Sequence, residues 1–130
     1  IFNISSRVGF SALLAGRVRM EDLDMLPDNV PAFPYLSVLS CGAVPPNPAE
    51  LLSNDRFRVI LKGLEQYFDV IIIDSPSAEY CSDVLSIASI AGNALLITRR
   101  GYSSLDRTKS LMAVLEKVNT KVVGAVINRF

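Results

Sequence analysis

Asp69-Val-Ile-Ile-Ile-Asp74-Ser-Pro-Ser77 is the stretch on which the fold turns. Four successive β-branched residues stand between two carboxylates, leaving no polar side to give to solvent. Such a run reads as a strand covered on both faces, which is the environment of a central strand in a parallel sheet. The Asp-Ser-Pro that follows stops it in a turn.

Two further apolar runs lie downstream, Ala94-Leu-Leu-Ile-Thr98 and Lys121-Val-Val-Gly-Ala-Val-Ile127. Between the three runs the pattern becomes helical. Ser82 is a fair N-cap for a helix reaching about Ala91 and ended by Gly92. Ser103-Ser-Leu-Asp106 has capping-box spacing and begins a helix that places Leu105, Leu111, Met112, Leu115 and Val118 on one side. Alternation of strand and helix predicts right-handed βαβ units, an α/β fold with a parallel sheet and helices on both faces. The strand ending at Asp74 is expected in a central position, flanked by those ending near Thr98 and Asn128.

Upstream, Phe57, Ile60, Leu61, Leu64 and Phe68 recur at helical spacing, so residues 55–68 bury one face. Pro48 is well placed to open a helix, where no amide donor is needed. Leu36-Ser-Val-Leu-Ser-Cys41, bounded by Pro34 and Gly42, suits a strand. Phe10-Ser-Ala-Leu-Leu-Ala15 before Gly16 reads as one or two helical turns. Beyond Arg17 the pattern is weak as far as Phe33. No internal repeat, low-complexity tract or interdomain linker is present.

Composition narrows the chemistry. The 130 residues suffice for one domain with a core and are too few for two. Half are hydrophobic and Lys+Arg equals Asp+Glu at 13 each, so no global basic field favours nucleic acid or an anionic membrane. The absence of histidine excludes Ser-His-Asp and Cys-His catalysis and histidine metal sites. Cys41 and Cys81 stand far apart and outside any CxxC spacing, which suits buried or half-buried free thiols in a reducing compartment. No apolar run approaches the roughly 20 residues of a spanning helix, and no signal-peptide pattern opens the chain. The chain starts on Ile1, and residues 1–9 read as the middle of a loop, so a fragment is expected.

Ligands of open α/β sheets bind at the carboxyl ends of the strands. Asp74 closes an hhhhD pattern of the Walker B kind, in which the carboxylate orders Mg²⁺ or its water beside a nucleotide phosphate. An Asp in this position also caps the segment that follows, and the motif alone leaves both readings open. Asn128, at the end of the last strand, can pair with a base edge or form a turn. Arg99 and Arg100 follow the middle strand and either meet phosphates or lie solvated.

The pieces taken in order resemble a known family. Gly9-Phe-Ser-Ala-Leu-Leu-Ala-Gly16, Pro45-Pro-Asn-Pro-Ala-Glu-Leu-Leu52, Tyr67-Phe-Asp-Val-Ile-Ile-Ile-Asp-Ser-Pro76, Ser82-Asp83, Leu96-Ile-Thr-Arg99 and Gly124-Ala-Val-Ile-Asn128 look like the bacterial tyrosine autokinases of exopolysaccharide and capsule export. Within that family the ending Val-Ile-Asn-Arg-Phe130 and the Ser-Pro-Ser turn are most similar to the chain-length-determinant kinases of the EpsG type. The likeness covers nearly the whole chain, and PPNPxELL combined with hhhhD(S/T)P is its most specific part.

The resemblance implies a MinD/ParA-like P-loop ATPase fold, of which residues 1–130 would be a single partial domain, the C-terminal two-thirds. It implies that Asp74 is the Walker B carboxylate assisting Mg²⁺, with Ser75 and Pro76 shaping the turn beside the phosphates and Asn128 near the adenine of ATP. Asp83 matches the family's serine-aspartate position, where helix capping explains it equally well, and the Pro-Asn-Pro loop matches as a structural or interfacial element. Ser77 departs from the commoner proline. The implied partners are a transmembrane polysaccharide co-polymerase and further copies of the protein, with no nucleic acid, at the cytoplasmic face of the bacterial inner membrane.

Two of the family's parts are missing from the sequence. GxxxxGK[ST] does not occur, and neither does the second aspartate-bearing strand. Tyr35, Tyr67, Tyr80 and Tyr102 are scattered rather than clustered. The expected function is therefore part of an ATP-dependent protein-tyrosine autokinase, inactive as this fragment alone. The alternatives are a non-catalytic P-loop-like module of the export machinery, or a MinD/ParA-like positioning ATPase, which would lack PPNPxELL.

Overall fold

The computed structural model describes residues 8–19, 21–22, 28–52, 55–78 and 83–129. The chain divides into two compact units, Ile1–Ile72 and Ile73–Phe130.

The first unit contains α1 (Phe10–Leu14), the strands β1 (Asp28–Val30) and β2 (Phe33–Val38), α2 (Pro48–Leu52) and α3 (Asp55–Leu64). The periodic apolar residues of α3 face inward as their spacing requires. Phe57, Ile60, Leu61 and Leu64 are buried and share the core with Leu13 and Leu14 of α1. Phe10 meets Phe57 edge to face, ring centroids 5.5 Å apart at 75°, a favoured aromatic geometry. Arg56 ties the two helices by donating Nε–H to the Leu13 carbonyl at 2.8 Å.

A helix leaves its first amides without partners. At α1 the chain 40–43 supplies them: Phe10 and Ser11 N–H donate to the Ser40 and Cys41 carbonyls, both at 2.9 Å. The Ser11 hydroxyl adds a bond to the Ala43 carbonyl at 2.7 Å. This approach is close enough that Gly9 has no room for a side chain, since a Cβ there would collide with the Ser40 carbonyl and sit 2.6 Å from the Gly42 nitrogen.

The strand expected at residues 36–41 lies earlier, at Phe33–Val38, and pairs antiparallel with β1. Val30 opposes Phe33 across Pro31-Ala32, and Pro34 is accommodated because the ribbon has two strands among the described residues. Cys41 is a free thiol and is exposed, which corrects the expectation of a buried or half-buried one. The carbonyl of this residue is held by α1 while its side chain is left outside. Cys81 and the proposed cap Ser82 lie outside the described residues.

The second unit holds α4 (Asp83–Ala91), β3 (Asn93–Arg99), α5 (Leu105–Lys117) and β4 (Lys121–Asn128). Strands β3 and β4 pair in parallel from Asn93↔Lys121 to Arg99↔Asn128, with one irregularity at Ala94/Leu95. The α/β class with a parallel sheet thus holds. Side chains alternate across a strand, and Ala94 and Leu96 turn toward Ala88 and Leu85 of α4, Leu111 and Leu115 of α5 and Val122 of β4. On the opposite face Leu95 and Ile97 are exposed, so among the described residues the helices cover one face of the pair.

Helix α5 buries a narrower stripe than its sequence suggests, centred on Leu115, while Leu105 and Met112 are exposed. Its capping box does not form. Ser104 is the N-cap without a side-chain bond, and the Ser103 hydroxyl instead accepts the Arg99 N–H at 2.9 Å. The far end of α5 closes in a Schellman arrangement. Asn119 adopts φ 57°, its N–H donates to the Glu116 carbonyl, and Thr120 N–H reaches back to Leu115.

The central strand expected at residues 69–74 is not formed among the described residues. Residues 70–77 run without a ladder, and Val70 and Ile72 are 76% and 88% exposed. An apolar run becomes a strand only where another strand completes its hydrogen bonds, and no described strand pairs with this one.

Candidate functional site

The parallel pairing of β3 and β4 brings their carboxyl ends to one place, and sequence reasoning selected that place for ligands. Arg99 and Asn128 oppose each other there in register. Arg100 N–H donates to the Asn128 carbonyl at 2.9 Å, which ties the residue after β3 to the last residue of β4. The chain then reverses over Gly101 and Tyr102 into α5.

That reversal is built around Arg99. Its carbonyl accepts the N–H groups of Tyr102 and Ser103, at 3.2 and 2.9 Å, while its own N–H donates to the Ser103 hydroxyl. Its guanidinium carbon lies 4.1 Å from the centroid of the Tyr102 ring, a cation–π contact. Arg100 makes no side-chain hydrogen bond or ion pair among the described residues. The turn therefore presents two guanidinium groups that no carboxylate among the described residues neutralises.

Asp74, Ser75 and Pro76 stand on the segment before α4, outside the β3–β4 ladder, and all three are exposed. The Asp74 carboxylate makes no hydrogen bond or ion pair among the described residues. Its charge is not spent on an internal partner, which suits the single carboxylate that Mg²⁺ takes while keeping most of its waters. No group of three or more potential metal-ligating side chains exists among the described residues, so nothing there forms an all-protein metal cage. Asp83 opens α4 in its first turn, where a carboxylate favours the helix dipole. The paired arginines were visible in the sequence. The part played by Tyr102 and Ser103 was not, and the signal that carries it is the spacing Arg-Arg-Gly-Tyr-Ser after a strand.

No helix among the described residues is long and apolar enough to cross a membrane.

No protein-family model matches the sequence. Individual proteins do. Tyrosine-protein kinase etk of Escherichia coli strain K12 is 30% identical over 128 residues, 98% of this chain and 17% of its own length. The putative tyrosine-protein kinase CapB of Staphylococcus aureus is 30% identical over 131 residues, covering 99% of this chain and 55% of CapB. The solved kinase domain of the E. coli tyrosine kinase ETK superposes with a TM-score of 0.88 at 31% identity, over 98% of this chain and 48% of that one. The chain spans about half the length of CapB and of the solved kinase domain. It is similar, over nearly its whole length, to part of the kinase domain of these bacterial tyrosine kinases.

Proposed function

We propose that residues 1–130 are one partial domain of an ATP-dependent protein-tyrosine autokinase that regulates exopolysaccharide chain length or export. The observation that supports this reading most is the match along 98% of the chain, in sequence and in fold, to proteins named tyrosine kinases. An exposed Asp74, without a partner among the described residues, stands where the sequence places the Walker B carboxylate.

When bound, Mg·ATP supplies the γ-phosphoryl group and the metal charge that neutralises it in transfer. The chain's own part is positional. Asp74 would hold the metal through its bound water, Ser75 and Pro76 would shape the turn beside the phosphates, and Asn128 would lie near the adenine. The phosphate cradle and its lysine are not among these 130 residues, so transfer is assigned to the whole kinase domain. In that setting the protein works at the cytoplasmic face of the bacterial inner membrane, as a homo-oligomer beside a transmembrane polysaccharide co-polymerase. Incubating the complete gene product with Mg²⁺ and radiolabelled ATP tests this: label recovered as phosphotyrosine supports it, and hydrolysis of ATP without phosphotyrosine rejects it.

A further inference from the structure

We propose that Tyr102 is itself a phosphoacceptor, whose phosphate Arg99 and Arg100 hold at the carboxyl end of β3; this rests on the tyrosine-kinase reading above. Tyr102 projects from the β3–α5 reversal and is 76% exposed, so its hydroxyl is open to an entering active site. Tyr35 is also exposed but lies within the paired strand β2, and Tyr67 closes the turn after α3. Among the described tyrosines Tyr102 alone has a cation over its ring.

That cation gives the modified residue somewhere to go. Phosphorylation adds about −1.5 to −2 charges and three acceptor oxygens. A guanidinium fork matches such a group in two parallel hydrogen bonds, and Arg99 already lies over the ring. Arg100 adds a second guanidinium whose backbone is anchored to Asn128. The run 99–107 carries Arg99, Arg100 and Arg107 against one acid, Asp106.

The rearrangement leaves the turn intact. Its bonds run through the Arg99 main chain and the Ser103 hydroxyl, so the Arg99 side chain can leave the ring face for the phosphate without opening the reversal. Because Arg100 and Asn128 share a backbone bond, the new charge appears at the strand end assigned to the adenine. In the transfer, Tyr102 Oη bonds to the γ-phosphorus of ATP. The bond from that phosphorus to the β–γ bridging oxygen breaks, its electrons leave on ADP, and the phenolic proton passes to solvent.

The test supplies the kinase in trans, so it does not depend on activity of this protein. The 130-residue chain is incubated with the E. coli ETK kinase domain and Mg·ATP, and phosphate is located by mass spectrometry. Phosphate at Tyr102, absent from Tyr102→Phe, is expected. A tyrosine phosphatase should then release it several-fold faster from an Arg99→Ala/Arg100→Ala variant than from the unaltered chain. Label confined to other tyrosines, no label at all, or equal release rates would overturn the proposal. Failure of the autokinase reading shows separately, as absence of phosphotyrosine in the complete gene product incubated alone.

Discussion

Arg99 lies with its guanidinium carbon 4.1 Å from the Tyr102 ring centroid, across a turn of which Arg99 supplies both the main-chain acceptor and a main-chain donor. The contact needs the ring face and not the hydroxyl. Tyr102→Phe should therefore leave stability unchanged, whereas Tyr102→Ala should cost about 0.5–1 kcal/mol, the value of a cation–π contact at an exposed site. Urea denaturation of the two variants distinguishes them, and equal losses would assign the contact no energetic weight.

Thr120 offers a second measurement. The residue is 4% exposed and its hydroxyl is buried without a hydrogen-bond partner among the described residues. A buried polar group left unpaired costs about 1–3 kcal/mol, and a methyl in its place costs nothing in hydrogen bonding. Thr120→Val should raise the denaturation midpoint, by roughly 1 kcal/mol in stability, and a lowered midpoint would show that the hydroxyl has a partner in solution.

At Gly9 the obstacle is backbone, which cannot swing aside as a side chain can. A Cβ meets the Ser40 carbonyl and the Gly42 nitrogen, and the same segment caps α1. Gly9→Ala should destabilise by about 1–3 kcal/mol, in the range of overpacked interiors, and should weaken amide protection of Phe10 and Ser11 in hydrogen exchange. Unchanged protection would mean that the 40–43 segment does not bind α1 as described.

The legible parts of this fold are those in which a segment contains its own instruction. Helix α3 carries its buried face in Phe57, Ile60, Leu61 and Leu64, and Pro48 opens α2 where expected. Strands β3 and β4 fall on the apolar runs that announced them. Residues 70–73 differ because apolar character says that a segment needs burial without saying what buries it. The capping box at Ser103 failed for a related reason: its hydroxyl had a competitor for partner in the Arg99 amide, four residues back and brought near only by the turn. At the site, Asp74, Ser75, Pro76 and Asn128 were named from strand-end position and resemblance. The Arg99–Tyr102 pair depends on how the chain reverses after β3, which no spacing rule specifies.

The 130-residue chain on its own should not bind Mg·ATP at sub-millimolar concentration. On the proposed reading Asp74 would supply one carboxylate and Asn128 one base contact, and the phosphate-binding amides and lysine of a P-loop are not among these 130 residues. Polar contacts are worth on the order of 1 kcal/mol each, while a Kd of 1 mM already requires about 4 kcal/mol. Titration calorimetry with Mg²⁺ and ATP should give no isotherm, and a clear micromolar one would mean that the phosphate site is elsewhere.

Autophosphorylation of the complete gene product carrying Asp74→Asn tests the central claim most directly. The substitution removes one exposed charge that has no partner among the described residues, so the fold should be unaffected. On the proposed reading, magnesium binding would lose its carboxylate. With circular dichroism unchanged, phosphotyrosine formation should fall by at least tenfold, corresponding to about 1.4 kcal/mol of transition-state stabilisation. A rate equal to that of the unaltered protein would contradict the Walker B assignment of Asp74.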